Sequence, residues 1–124
     1  MPTKLCPCGL GLPYDECCGR YLSGAANAPT AEALMRARYT AFVRGNGDFV
    51  SDTWAPETRP ADLRVDPAGE PYTGLTVLSA QRGGPFDAEG VVEFAAHYPG
   101  GVMRERSRFE RRAGRWVYVS GVLG

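Results

Sequence analysis

The chain has 124 residues, 44% of them apolar, 23% charged and 10% aromatic. That is enough to build one soluble globular domain with a real core, and it argues against disorder. Fourteen basic residues balance fourteen acidic ones, so no global field attracts nucleic acid or membranes, and no apolar run reaches the roughly 20 residues of a membrane span. The N-terminus has one lysine and no apolar h-region, with cysteines where a leader would be cleaved, so no secretory leader is expected. A cytoplasmic, reducing setting follows as the expectation.

All four cysteines lie in the first eighteen residues, as Cys6-Pro7-Cys8 and, after eight intervening residues, Cys17-Cys18. Four thiolates converging from two short segments form the ligand set of a closed tetrahedral zinc site. A Cys6–Cys8 or Cys17–Cys18 bridge would close a tiny strained ring, and the cross-paired disulfides would staple only a short loop. Pro7 stiffens the first ligand turn, and Gly9, Gly11 and Gly19 supply the freedom to turn backbone N–H groups toward sulfur. Redox thiols and disulfides stay as the alternatives. With four sulfurs and no histidine nearby, no coordination position is left for water, so the expected zinc is structural. Lys4 and Arg20 flank the cysteines and offset the two negative charges of such a site.

Cys6-Pro-Cys8-Gly-Leu-Gly-Leu-Pro-Tyr14-Asp-Glu-Cys17-Cys18-Gly resembles the SEC-C zinc motif of the SecA translocase tail. The resemblance implies a zinc knuckle that contacts a protein partner. Leu10 stands where serine is common and Leu12 where lysine is common, which alters the contact positions and leaves the ligands intact.

Residues 19–29 are rich in Gly and Ala and end in proline, the composition of a connecting segment. The division is a knuckle over 1–22, a linker over 23–29 and a body over 30–124. Thr30 is a good N-cap, with Glu32 in the first turn. Leu34, Met35, Arg38, Tyr39 and Phe42 share one face of an amphipathic helix that should stop at Gly45-Asn46-Gly47. A short helix is expected over Asp48–Trp54. The stretch 55–73 holds Pro56, Pro60, Pro67 and Pro71 and reads as a loop placed to act as a lid. Period-two patterning then predicts strands over Leu75–Arg82, Val91–Tyr98, Val102–Arg112 and Trp116–Ser120, separated by Gly/Pro or Ala-Gly turns. Helices first and an antiparallel meander after them is the α+β class.

This body resembles the YchJ-type proteins, which join a SEC-C motif to a nuclear transport factor 2-like domain. The resemblance is carried by 29–42 (PTAEALMRARYTAF), Gly74-Leu75, Gly83-Gly84-Pro85, Val92-Glu93-Phe94, Glu105–Phe109 and 114–121 (GRWVYVSG). Tyr72-Thr73 departs from a frequent tryptophan, and Leu22 stands where many relatives carry histidine. The implied fold is a cone, a curved antiparallel sheet wrapped around helices over a cavity. It hosts isomerases, dehydratases, cyclases and plain binding domains, so it names no reaction.

The candidate acid–base groups are His97, the one histidine, and Glu105. Glu93 shares a strand face with His97. On the third strand Met103, Glu105, Ser107 and Phe109 share one face, and the apolar pair turns it inward. Glu105 and Ser107 would then line an apolar pocket with Arg38, Tyr39, Trp54, Glu93 and Tyr118. The plainer expectation for Glu105 is a buried ion pair with Arg38. Arg104, Arg106, Arg108, Arg111, Arg112 and Arg115 read as a solvated outer face rather than a nucleic-acid stripe. No phosphate loop or nucleophile elbow appears. The resulting expectation is a zinc-containing adaptor that meets a protein through its knuckle and holds a small molecule in its cavity. The alternatives are an acid–base enzyme of the isomerase, dehydratase or hydrolase type, and a redox-sensing zinc thiolate.

Overall fold

The computed structural model describes residues 4–124; the first three residues of the expected knuckle segment lie outside them. Its helices are α1 (Gly19–Leu22), α2 (Ala31–Arg44) and α3 (Gly47–Asp52), and its strands β1 (Gly74–Arg82), β2 (Glu89–Tyr98), β3 (Gly101–Arg112) and β4 (Arg115–Leu123). A 3-10 turn, Tyr14–Glu16, lies between the two cysteine pairs.

Helix α2 begins and ends where its chemistry dictates. Thr30 Oγ1 accepts the N–H of Ala33 at 3.0 Å, filling one of the free donors of the first turn. At the other end Gly45 sits at φ 73°, and the N–H of Asn46 reaches back to the Ala41 carbonyl at 2.8 Å. That is a Schellman closure, which requires a left-handed residue. Asn46 then caps α3 by accepting the Phe49 N–H at 3.0 Å.

The strands form one antiparallel meander in the order β1-β2-β3-β4. Register pairs inward residues with inward residues: Ala96 opposes Met103, Phe94 opposes Glu105, and Phe109 opposes Tyr118. A register shift between Val77 and Ser79 in β1, and another opposite Arg108/Phe109 in β4, bend the sheet. Helix α2 fills the resulting concavity. Leu34, Met35, Val92, Phe109 and Trp116 pack there as one buried cluster. The expected nuclear transport factor 2-like α+β architecture is thus present.

Two features differ from the sequence expectation. Residues 19–22, whose composition reads as a connecting segment, form helix α1, because Tyr21 and Leu22 pack on the buried cluster that joins the four cysteines to Ala37, Tyr39 and Ala96. Gly19 accordingly has helical backbone; a side chain there would lie 2.7 Å from the Tyr14 carbonyl oxygen, so glycine supplies space rather than left-handed freedom. Helix α2 also buries a second flank. Ala37 and Thr40 are fully buried, since the cysteine segment covers the side of the helix turned from the expected apolar stripe.

Candidate metal centre and ligand cavity

The cysteine loop is drawn closed by backbone bonds from Cys6 N–H to the Leu12 carbonyl (2.8 Å) and from Tyr14 N–H to the Lys4 carbonyl (2.9 Å). Gly9 and Gly11 lie at φ 86° and 83°, the left-handed turns that bring Cys8 back toward Cys17. All four cysteines are buried and unbridged, and their sulfurs lie within 4.8 Å of one another. Cys8 Sγ and Cys17 Sγ are 3.6 Å apart. A tetrahedron with metal–sulfur bonds of about 2.3 Å has edges of about 3.8 Å, so the donor set fits a metal ion.

Electrostatics points the same way. Hydrogen bonds from the Cys18 and Cys8 thiols hold Cys6 far below the usual thiol range. Cys18 is pushed up by its bonds to Cys6 and Cys8, with burial adding to them. Burial first, and then Cys8, raises Cys17 to about 11. The thiols around Cys6 thus favour its ionisation while Cys17 and Cys18 resist theirs, and a cation at the centre would offset that resistance. Arg20 Nε donates to the Cys17 carbonyl (3.1 Å), and Arg36 Nη1 donates to the Cys8 carbonyl (2.8 Å). Arg36 escaped the sequence reading, because its distance along the chain hides that α2 runs beside the loop.

The second site is a cavity of about 240 Å³ between α2 and the sheet. Arg38, Tyr39, Trp54, Glu105, Ser107 and Tyr118 line it, together with Met35, Phe42, Tyr72, Phe94, Ala96, Met103 and Phe109. Arg38 is buried on the inner side of α2. Its Nη1 donates to the Val50 carbonyl (2.9 Å) and to Thr53 Oγ1 (2.7 Å), while its guanidinium carbon lies 5.0 Å from the Trp54 ring centre and 4.5 Å from that of Tyr118. Burial lowers its pKa to about 10, opposed by Tyr118 and Glu105, which leaves it charged at neutral pH. The expected Glu105–Arg38 ion pair does not form among the described residues. Instead Glu105 Oε2 accepts from Ser107 Oγ (2.5 Å) and Tyr118 Oη (3.0 Å). Burial, and then the adjoining carboxylate, push the Tyr118 phenol up, so it stays a donor. A side chain on Gly121 would collide with this carboxylate.

Two family models match the chain: the middle nuclear transport factor 2-like domain of YchJ over residues 30–121, and the SEC-C motif over residues 3–20. A UPF0225 protein of Streptomyces coelicolor is 54% identical over 98% of this chain and 97% of its own length. The chain belongs to the YchJ-type UPF0225 family. A second UPF0225 relative, from Corynebacterium glutamicum, is 52% identical over 95% of this chain and 96% of its own. Among solved structures, a SEC-C motif containing protein from Rhodopseudomonas palustris superposes with a TM-score of 0.79 at 34% identity, covering 94% of this chain and 96% of that one. Another from Psychrobacter arcticus gives 0.76 at 26% identity, with 96% and 82% covered. SEC-C is a zinc-binding motif, and in this UPF0225 chain it brings the four cysteines together.

Two residues expected at the cavity lie elsewhere. Glu93 points to the outer face of β2, where Arg104 pairs with it at 3.6 Å. His97 shares that outer face and meets Thr76 Oγ1 through Nε2 at 3.1 Å, exposed to solvent. The parity of β2 decides both: Phe94 and Ala96 line the cavity, so Glu93 and His97 take the opposite face, where the small Ala95 between them is covered. Of the basic residues, Arg104, Arg108 and Arg112 pair with Glu93, Glu110 and Glu57. Arg106 donates to Gln81 at 3.3 Å. The 55–73 stretch contains no helix or strand. Tyr72 from that stretch lines the cavity, a placement that no pattern in a proline-rich loop announces. No helix is long and apolar enough to cross a membrane among the described residues.

Proposed function

We propose that this YchJ-type chain is a zinc protein whose SEC-C knuckle docks a protein partner, with a body that carries a small-molecule cavity. One observation supports the metal above all: four buried sulfurs converge on a point inside the core, where four thiols have no reason to gather without a cation. Cys6, Cys8, Cys17 and Cys18 would hold zinc with no position left for water, and the ion would act as a cross-link between two turns. The same loop exposes Leu5, Leu10 and Leu12 (65%, 50% and 43% accessible). Three accessible leucines on a loop made rigid by metal are the kind of apolar anchors a protein contact uses. A cytoplasmic setting, which keeps thiols reduced, completes the proposal.

The test is metal content and partner capture on the full chain purified without added metal. Wild type should carry one zinc per chain. Cys17→Ser with Cys18→Ser should lose both the zinc and the captured protein. Leu10→Ser with Leu12→Lys should keep the zinc and lose the captured protein. Full metal in the cysteine variant would end the zinc proposal, and unchanged capture by the leucine variant would end the docking proposal.

For the body, the arrangement favours ligand binding over acid–base turnover. The cavity holds one carboxylate, and its two nearest polar neighbours are hydroxyl donors spent on the same oxygen. His97, the natural proton partner, is on the other face of the sheet.

A further inference from the structure

The cavity has a chemistry of its own, and the following rests on reading it as a ligand site. Its walls are aromatic, with Tyr39, Tyr72, Phe94, Phe109, Trp54 and Tyr118 all contributing. At about 240 Å³ it is small; an apolar cavity of about 150 Å³ takes benzene, so one ring with a short substituent fits here.

Two opposite charges are built into this space. Arg38 brings a buried guanidinium across the faces of Trp54 and Tyr118. Glu105 brings a carboxylate on the facing strand. A ligand anion would be drawn by Arg38 but repelled by Glu105, and a cation the reverse, so a single charge gains little net field here while losing its hydration. Neutral molecules escape that penalty. The carboxylate is also asymmetric: Oε2 takes both hydroxyl donors, and Oε1 accepts no hydrogen bond among the described residues. Ser107 and Tyr118 thus fix the carboxylate while leaving one oxygen for a donor from the ligand.

We propose that the cavity binds a small neutral aromatic molecule bearing one O–H or N–H donor, which it presents to Glu105. Phenols and indoles are the simplest members of that class. Aromatic walls supply affinity through burial and edge-to-face packing, and a hydrogen bond to a charged acceptor supplies discrimination. Gly121 fits this role, since a side chain there would push the carboxylate out of place.

The probes are 4-ethylphenol, 4-ethylanisole, 4-ethylbenzoate and 4-ethylbenzylamine, titrated into the zinc-loaded full chain and followed by calorimetry and amide NMR shifts. The phenol should bind, with shifts centred on Glu105 and Tyr118. The anisole, which lacks the donor, should bind at least about 10-fold more weakly, as should the benzoate and the benzylamine. Glu105→Gln should weaken the phenol by about 10-fold. Equal binding of phenol and anisole would overturn the donor assignment. Preference for the benzoate or the amine would overturn the neutral class while leaving the cavity as a ligand site. Binding by none of the four would overturn both. Should Glu105→Gln fail to fold, the wild-type probe series decides alone.

Discussion

Replacing Gly121 by alanine should destabilise the chain through one carboxylate. The new methyl would overlap Glu105 Oε2 and lie 2.6 Å from Tyr118 Oη. Both are ends of side chains, so the backbone can stay and the carboxylate must swing away. It then loses the hydroxyls of Ser107 and Tyr118, bonded to it at 2.5 and 3.0 Å. Hydrogen bonds to a charged group contribute about 1.5–3 kcal/mol each, but Glu105 is only half-buried and water replaces part of that. Removing a strand glycine returns about 0.5–1 kcal/mol. The net expectation is a loss of about 1–2 kcal/mol, or a Tm lowered by about 4–10 °C for a chain of this size. Thermal and urea unfolding of the zinc-loaded protein measure it, with Glu105→Ala as the second arm of a double-mutant cycle. In that background only the close approach to Tyr118 Oη remains, and the phenol, freed of its carboxylate partner, can turn aside, so Gly121→Ala should cost clearly less than in wild type. An equal loss in both backgrounds would refute the assignment of the clash to Glu105.

Arg36→Met should leave the body folded and loosen the metal loop, because Arg36 Nη1 holds the Cys8 carbonyl at 2.8 Å. Metal release to a chelator should quicken by about 10-fold, in line with the effect of groups that orient metal ligands; an unchanged rate would remove the tether. The surface cluster of Arg112 with Glu57 and Glu110 should show in the pH dependence of stability. Hydrogen bonding to Arg112 holds Glu57 at about 2 against an ordinary 4.5. Its stabilisation is therefore complete above about 4.5 and lost as pH falls toward 2. The Tm difference between wild type and Glu57→Gln should shrink across that window and with added salt, and a difference that grows on acidification would contradict it.

Local chemistry carried most of the fold into view. Thr30 and Gly45 mark helix ends by their own hydrogen-bonding and dihedral needs, and each expected strand overlaps an observed one, with edges displaced by at most three residues. The four cysteines were legible because thiolates in pairs have few other uses. Facing was harder. On β3, Met103 and Phe109 told inside from outside, so Glu105, Ser107 and Tyr118 were placed at one cavity. On β2 the same test, applied to Val92, Phe94 and Ala96, would have sent Glu93 and His97 outward. What stayed hidden depends on tertiary approach. The second buried flank of α2, the grip of Arg36 on Cys8 and the entry of Tyr72 into the cavity all need two distant segments to meet. The Arg38–Glu105 pairing failed for a related reason: opposite charges in one cavity suggest a bond, yet Thr53, Val50 and two aromatic faces had already engaged the arginine.

The wall behind the cysteines has a consequence for how the chain is made. Cys6 to Cys18 leave the ribosome early, but the surface they pack on includes Tyr39 and Ala96, the latter from β2. At about 5–20 residues per second, synthesis from Cys18 to Ala96 takes on the order of several seconds. For that interval the thiols are without their final cover, open to metal and to oxidant alike. The order of the chain therefore leaves the four sulfurs open to a cation before the sheet can close behind them, and an ion taken up in that interval would be covered only once β2 is in place.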